Sequence, residues 1–480
     1  MWRALVLLAV LLALPPADAA GRPFTQEGLS TPARPEHVRT PPLRPFVPPT
    51  PDRFELERGG HLLVIAREGL PLVDGTLLFP GGRLAEDPEL AGVADLMADV
   101  LREGGSERTS GTQLDDWLDS HAASIRITSD LDALRIDFSC VSTDLGNVLV
   151  YIGELLVLPA YPESEIEKSR ARLATRLARS AEDPAQLAEE LLDELCAGED
   201  SLIARRPTLA SVEAITRRDL LGLHRRVIGP ARLLAGVTGA VEPNSLLAQM
   251  NTLLARLEPA GPLPRHDPAV FRRPSRTTIY LYDRPNAAQS EVRIASPGTR
   301  RLDRDYVPLV LWSHAVGQGG AANRMMVRLR AELGLIYGGS LAFRPGWARA
   351  GRLLGACSTR SDAAARVVGG CLEILKEGQA PLPEEELEAV RRRVLNAGVF
   401  EVDSPEEMLR RALDVEFHDY PSDFWAKRAD RLRSTSAEEV AAAVARQLDV
   451  DRLIVLVVGP ADALAEELAA YGEVVRLPAR

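Results

Sequence analysis

Seven histidines occur in the chain: His37, His61, His121, His224, His266, His314 and His418. A zinc site built on one helix or turn needs two ligands spaced about two to five residues apart. Even the nearest two, His37 and His61, are separated by far more than that. No HxxxH, HExxH or HxxEH is present, so a local zinc motif is absent. The nucleophile elbow GxSxG is missing as well. Gly317-Gln318-Gly319-Gly320 is glycine-rich but lacks the Lys-Ser/Thr of a phosphate loop. It reads either as a tight interhelical turn or as backbone that a peptide ligand can approach closely. Cys140, Cys196, Cys357 and Cys371 form no CxxC. They read as buried free thiols, although an oxidising compartment would permit disulfides. Arg330 and Tyr337 lie seven apart in LRAELGLIY and offer a fixed cation and a phenol. Gly334 is expected to end a helix between them and to leave Tyr337 at the start of a strand. From spacing alone, this is an Arg on a helix end beside a half-buried Tyr.

The 480 residues that must position these groups are 46% apolar and 26% charged. That is ordinary for globular protein, and the length allows a large core without disulfides or metals. Lys plus Arg number 57 and Asp plus Glu 68, a net of 57 − 68 = −11. No nucleic-acid partner is expected, because phosphate binding needs a basic face. Arg3, the uncharged run Ala4 to Leu14 and the small residues Ala17-Asp18-Ala19 read as a secretory signal peptide over 1–20, cut after Ala19. The run is too short to span a bilayer. The mature protein is therefore expected to be exported, periplasmic or extracellular, with no membrane anchor after cleavage. Residues 21–52 are crowded with prolines and read as a linker or strap.

The remainder repeats itself at a nearly constant offset. PESEIEKSRARL, from Pro162, returns as PEEELEAVRRRV, from Pro383. Each sets Pro before an acidic first turn and basic residues after it, charges that suit the helix dipole. Asp183-Pro184 returns as Ser404-Pro405. A helix-turn-strand unit ending at Gly239 returns ending at Gly459. Thr216 with Asp219, and Ser436 with Glu439, start the two helices as capping boxes. The expectation is an α+β protein of two homologous domains, each a mostly antiparallel sheet with long helices packed on one face. Boundaries fall at 53–258 and 276–480, with 259–275 as the linker between them. Within the first, residues 61–82 alternate like two strands, Leu90 to Leu101 has helical spacing, and SIRITSDLDALRIDFSCVS reads as two strands turning at Asp130 to Asp132.

FELERGGHLLVI, GVADLMADVLREGGSERTS, DRPNAAQSEVRI, RLRAELGLIYGGSLAF and the duplicated layout together resemble the M16, or insulinase/pitrilysin, peptidase family across about residues 53–480. Active members carry an inverted zinc motif on the first helix, with two His ligands and a Glu base, and take a third ligand, a Glu, from a later helix. Here those positions hold Asp95, Asp99 and Ala98, and the third falls on Thr175 or Arg176. Asp95 and Asp99 then read as solvated helix carboxylates, with weak binding of a hard cation as the alternative. The resemblance implies no cofactor in this chain. It assigns Arg330 and Tyr337 the part of the Arg/Tyr pair that contacts the substrate carbonyl and the developing oxyanion. In some members two similar subunits divide the labour, one holding zinc and the other the pair. This implies a zinc-less subunit of an exported two-subunit metallopeptidase. Its partners would be an HxxEH-bearing M16-like subunit, which would hold zinc, and a peptide substrate. A non-catalytic scaffold or peptide-binding protein on the same fold is the alternative. A bound peptide is expected to add as a strand to a sheet edge.

Overall fold

The computed structural model describes residues 50–198, 201–264 and 271–478. The expected signal peptide, and the Pro-rich segment as far as residue 49, lie outside the described residues. Six strands form the first sheet: β1 (Asp52–Glu55), β2 (His61–Ala66), β3 (Leu72–Pro80), β4 (Ser124–Ser129), β5 (Ala133–Val141) and β6 (Leu234–Gly239). Their order is β1-β2-β6-β3-β5-β4. The second sheet holds β7 (Thr278–Asp283), β8 (Gln289–Pro297), β9 (Ile336–Arg344), β10 (Arg352–Arg360), β11 (Ile454–Gly459) and β12 (Glu473–Arg476), in the order β12-β7-β11-β8-β10-β9.

The two orders match strand for strand except at one edge. β6 lies between β2 and β3, and β11 between β7 and β8, each parallel to the first neighbour (β2·β6, β7·β11) and antiparallel to the second (β3·β6, β8·β11). The sheets are therefore mixed rather than purely antiparallel. A strand with neighbours on both sides and cover on both faces must be apolar throughout. IVLVVG in β11 is buried at every residue, and LAGVTG in β6 at all but its last. The odd edge is filled by different means: β1 lies antiparallel to β2, whereas β12 lies parallel to β7.

The helices repeat as well. Both expected capping boxes form, at Thr216 with Asp219 and at Ser436 with Glu439. Arg170 and Arg391, equivalent under the repeat, perform the same task. Arg170 donates to the carbonyls of Val212 and Ile215 and pairs with Glu167. Arg391 donates to those of Leu432 and Thr435 and pairs with Glu388. Each guanidinium satisfies carbonyls left over at a helix end just before the capping box.

Helices cover both faces of each sheet, not one. The second covering is contributed by the opposite half. Helix Pro184–Ala197 packs Leu187, Ala188, Leu191 and Leu192 on the back of the second sheet, against Ala295, Leu354, Ile454 and Leu456. Helix Pro405–Phe417 packs Leu409 and Leu413 on the back of the first, against Leu63, Ile65, Leu78 and Leu234. The halves thus exchange a helix reciprocally. Charge pairs seal one of these contacts. Arg293 on β8 is 5% exposed and bonds Glu189 of the exchanged helix and Glu291 of its own strand, both at 2.8 Å. Arg352 on β10 reaches Asp193 at 2.6 Å. No described helix is long and apolar enough to cross a membrane.

Candidate functional site

Helix Val93–Gly104 carries Asp95, Ala98 and Asp99. It starts at Gly92 with no side-chain cap of its own. The missing acceptor is Glu86, whose Oε1 accepts from the backbone N–H of Gly92 at 3.2 Å and of Ala94 at 2.8 Å. Glu86 is 3% exposed, and burial pushes its carboxyl up to about 7; the two backbone bonds oppose the rise and Asp95 adds to it. Asp95 is also raised, mainly by burial and also by Asp99, against the pull of Arg83 and Arg176.

Neither aspartate is simply solvated, which corrects the reading from spacing. Both are half-buried. Asp99 accepts from Ser169 Oγ at 3.0 Å and lies 3.6 Å from the Arg176 guanidinium Nη2. Ser169 and Arg176 belong to helix Glu163–Glu182, which packs across helix Val93–Gly104. Thr175 turns its hydroxyl back onto the carbonyl of Ala171. Of the two residues that sequence left open at the third position, Arg176 therefore faces the aspartates. A cation from the second helix stands where a metal ligand would have to be an anion or a neutral nitrogen. Ala98 is buried and brings no base. The residues do not fit zinc, and no group of three metal-binding side chains exists among the described residues.

A charged trough runs from Asp99 along the edge strand β4, lined by Arg102, Arg126, Lys168 and Arg172. Arg102 Nε donates to the carbonyl of Ile125 at 2.8 Å, and its Nη2 pairs with Asp115 at 2.7 Å. Part of the hydrogen-bonding edge that a peptide strand would use is thus occupied by the protein's own side chain. Sequence reading missed Glu86, Arg102, Asp115 and Ser169, because no local pattern marks contacts between separate elements such as these.

The second place is in the other half. Arg330 lies in a short π-helix, Met326–Glu332, a geometry that is rare and frequent at functional positions. Gly334 takes φ 60°, which only glycine adopts freely, and turns the chain out of the helix into β9. Tyr337 is the second residue of that strand, as expected. The ladder to β10 then slips. Cys357 faces Gly339 and Thr359 faces Ile336, so Tyr337 and Gly338 both stand opposite Ser358. This bulge re-aims the side chain. Tyr337 is 87% exposed, not half-buried. The Arg330 guanidinium carbon sits 5.2 Å from its ring centroid, close enough for a cation–π contact. Val327 and Leu333, on either side of Arg330 along the chain, are exposed as well. The structure brings Arg330 and Tyr337 together.

Gly317 to Gly320 lie in the connection between helix Tyr306–Val316 and the π-helix. Gly317 accepts from the N–H of Leu341, and Ser313 Oγ from that of Phe343 at 2.9 Å. The outer edge of β9 is closed there. The strand start at Tyr337 to Gly339 lies beyond these two contacts.

Residues 71–202 match the family model described as "Insulinase (Peptidase family M16)". Residues 214–394 match "Peptidase M16 inactive domain". The chain is 22% identical over 378 residues to "Non-peptidase homolog YmxG" of Helicobacter pylori, covering 77% of this chain and 85% of that protein. The crystal structure of a peptidase M16 inactive domain from Pseudomonas fluorescens superposes with a TM-score of 0.77 at 20% identity, covering 85% of this chain and 98% of the other. The periplasmic protease PqqL from Escherichia coli gives 0.71 at 14% identity; 89% of this chain matches 49% of that one. At these identities the two structures are evidence of the fold.

Proposed function

We propose, from the premise that this chain belongs to the M16 peptidase family, that it is the zinc-less subunit of an exported two-subunit peptidase. Arg330 and Tyr337 hold and polarise the peptide, and a partner bearing HxxEH holds zinc. The observation that carries this reading is Tyr337: a large, 87% exposed phenol under a guanidinium, presented by a bulged strand. Exposing an aromatic side chain and fixing it beside a cation serves no packing purpose. Two hydrogen-bond donors of this kind suit a peptide carbonyl that gains negative charge as it is attacked. Export rests on the expected signal peptide and on the likeness to a periplasmic structural relative.

The test needs the assembled pair. Removing one well-placed oxyanion donor lowers turnover by about 10²–10³, or about 3–4 kcal/mol. Tyr337→Phe takes away the hydroxyl and little volume, so assembly is expected to survive. Arg330→Lys keeps the charge but loses the planar fork, and turnover is expected to fall as well. Wild-type turnover from an assembled Tyr337→Phe complex would sink the proposal.

A second reading has an observation of its own. A peptidase-fold scaffold needs no open strand edge, and Arg102 with Asp115 closes part of β4. The relative in Helicobacter pylori is named a non-peptidase homologue. On this reading activity of any complex is indifferent to Tyr337, so the same experiment separates the two.

A further inference from the structure

The outer edge of the second sheet is open over one short stretch. β9 is the last strand of that sheet, and β10 pairs with its inner side. Leu341 and Phe343 turn their N–H groups outward, where the Gly317 carbonyl and Ser313 Oγ accept them. Alternate residues of an edge strand face the same way. The next outward N–H and C=O towards Tyr337 are therefore those of Gly339, and they meet no partner across this edge among the described residues. Tyr337, Gly338 and Gly339 are all exposed. Glycine at 339 has a packing reason, since a Cβ there would come within 2.8 Å of the Cys357 Cβ and of the Met325 methyl. Gly338 has none. A Cβ there would meet nothing within 4 Å. Its φ lies outside the left-handed region, so the bulge does not demand glycine either. A strand glycine that neither backbone nor packing requires weakens the strand, and suits the close approach of another chain.

We propose that an extended peptide adds to β9 at this stretch, pairing its main chain with Gly339 and laying a large apolar side chain over Gly338. In an added strand, the residue next to the one bonded to Gly339 stands opposite Gly338, where side chains of neighbouring strands come closest. With no side chain on Gly338, a bulky residue of the peptide fills the space beside it. Length selects a peptide over the sheet edge of a folded partner. A folded strand of about five or six residues would run into the contacts that close the edge at Leu341 and Phe343. A peptide can leave after one bonded residue. Gly339 is two residues, about 7 Å of strand, from Tyr337, so a carbonyl further along the same peptide comes to the Arg330–Tyr337 pair. At β4, the matching edge of the first sheet, Arg102 takes the Ile125 carbonyl instead. The inference rests on the peptide role proposed for Arg330 and Tyr337, and adds to it an edge, a register and a side-chain preference.

The experiment uses the full chain alone and, as probes, labelled end-blocked peptides of Thr and Ser with one central Phe or one central Ala. Fluorescence anisotropy is expected to show saturable binding, tighter for the Phe peptide by about three- to fivefold. Amide hydrogen exchange at Gly339 is expected to slow when the Phe peptide is bound. Gly338→Val should erase the preference for Phe while leaving the chain folded, because the added side chain meets open space. Should Gly338→Val not fold, Gly338→Ala is read in the same way. No saturable binding overturns the proposal. So do unchanged exchange at Gly339, a preference for Phe that survives filling of Gly338, and dimers of the chain that pair through this edge in place of peptide. None of these readouts needs zinc or a second subunit, so their failure is separate from failure of the Tyr337→Phe turnover test.

Discussion

Glu86→Gln tests the electrostatics around the first helix directly. The carboxyl is buried beneath the N-terminus of helix Val93–Gly104, and its pKa of about 7 compares with an ordinary 4.5. A raised native pKa means that the folded chain holds this proton more tightly than the unfolded chain does. The associated stability is complete below about pH 4.5 and is lost as pH rises through about 7. At about 1.4 kcal/mol per unit, the full loss comes to about 3 kcal/mol. Glutamine cannot ionise, and its amide oxygen can still accept from Gly92 and Ala94. The difference in unfolding free energy between wild type and Glu86→Gln is therefore expected to move by about 3 kcal/mol in favour of the variant between pH 4.5 and 8. Urea unfolding curves at several pH values give this difference directly, and groups common to both chains cancel. Asp95 acts in the same direction through its own raised pKa, so Asp95→Asn should flatten the profile further. Parallel stability profiles for wild type and Glu86→Gln would refute the assignment.

Wild-type protein purified without chelators is expected to carry no stoichiometric zinc by metal analysis. The combined change Asp95→His, Ala98→Glu, Asp99→His and Arg176→Glu should gain it, since Arg176 is the cation that faces the aspartates. Arg293→Ala leaves Glu189 and Glu291 without their buried cation. Unfolding free energy should fall by about 3–5 kcal/mol. Adding Glu291→Leu should recover part of that loss, and chemical denaturation reads both.

How much of this was legible in the sequence depended on the distance between the residues involved. The capping boxes at Thr216 and Ser436, the turn after Asp130 and the helix stop at Gly334 are signals within a few residues, and each formed as expected. The duplication was legible because one nearly constant offset recurs over separate segments. The insertion of β6 between β2 and β3 was not, since it pairs segments from opposite ends of the first half. The echo of Asp183-Pro184 in Ser404-Pro405 falls at the starts of helices Pro184–Ala197 and Pro405–Phe417 but says nothing of whose sheet they cover. At the candidate site, Arg330 and Tyr337 were found by family resemblance. Their exposure came from a bulge that alternation cannot reveal. Asp99 was read as a solvated helix carboxylate because Ser169 and Arg176 reach it only once two helices cross.

The exchanged helices make the duplicated halves inseparable. Each half, taken alone, would present the bare apolar back of a six-stranded sheet and a greasy helix with nothing to cover. A chain severed between β6 and β7 would thus yield two sticky fragments that recombine or aggregate, rather than two working modules. Rotation of one half against the other would drag a helix across a tightly packed sheet. On the proposed two-subunit reading, an opening that admits a peptide falls between whole chains, or at loop ends such as the one before Tyr337, and not along the seam within this chain.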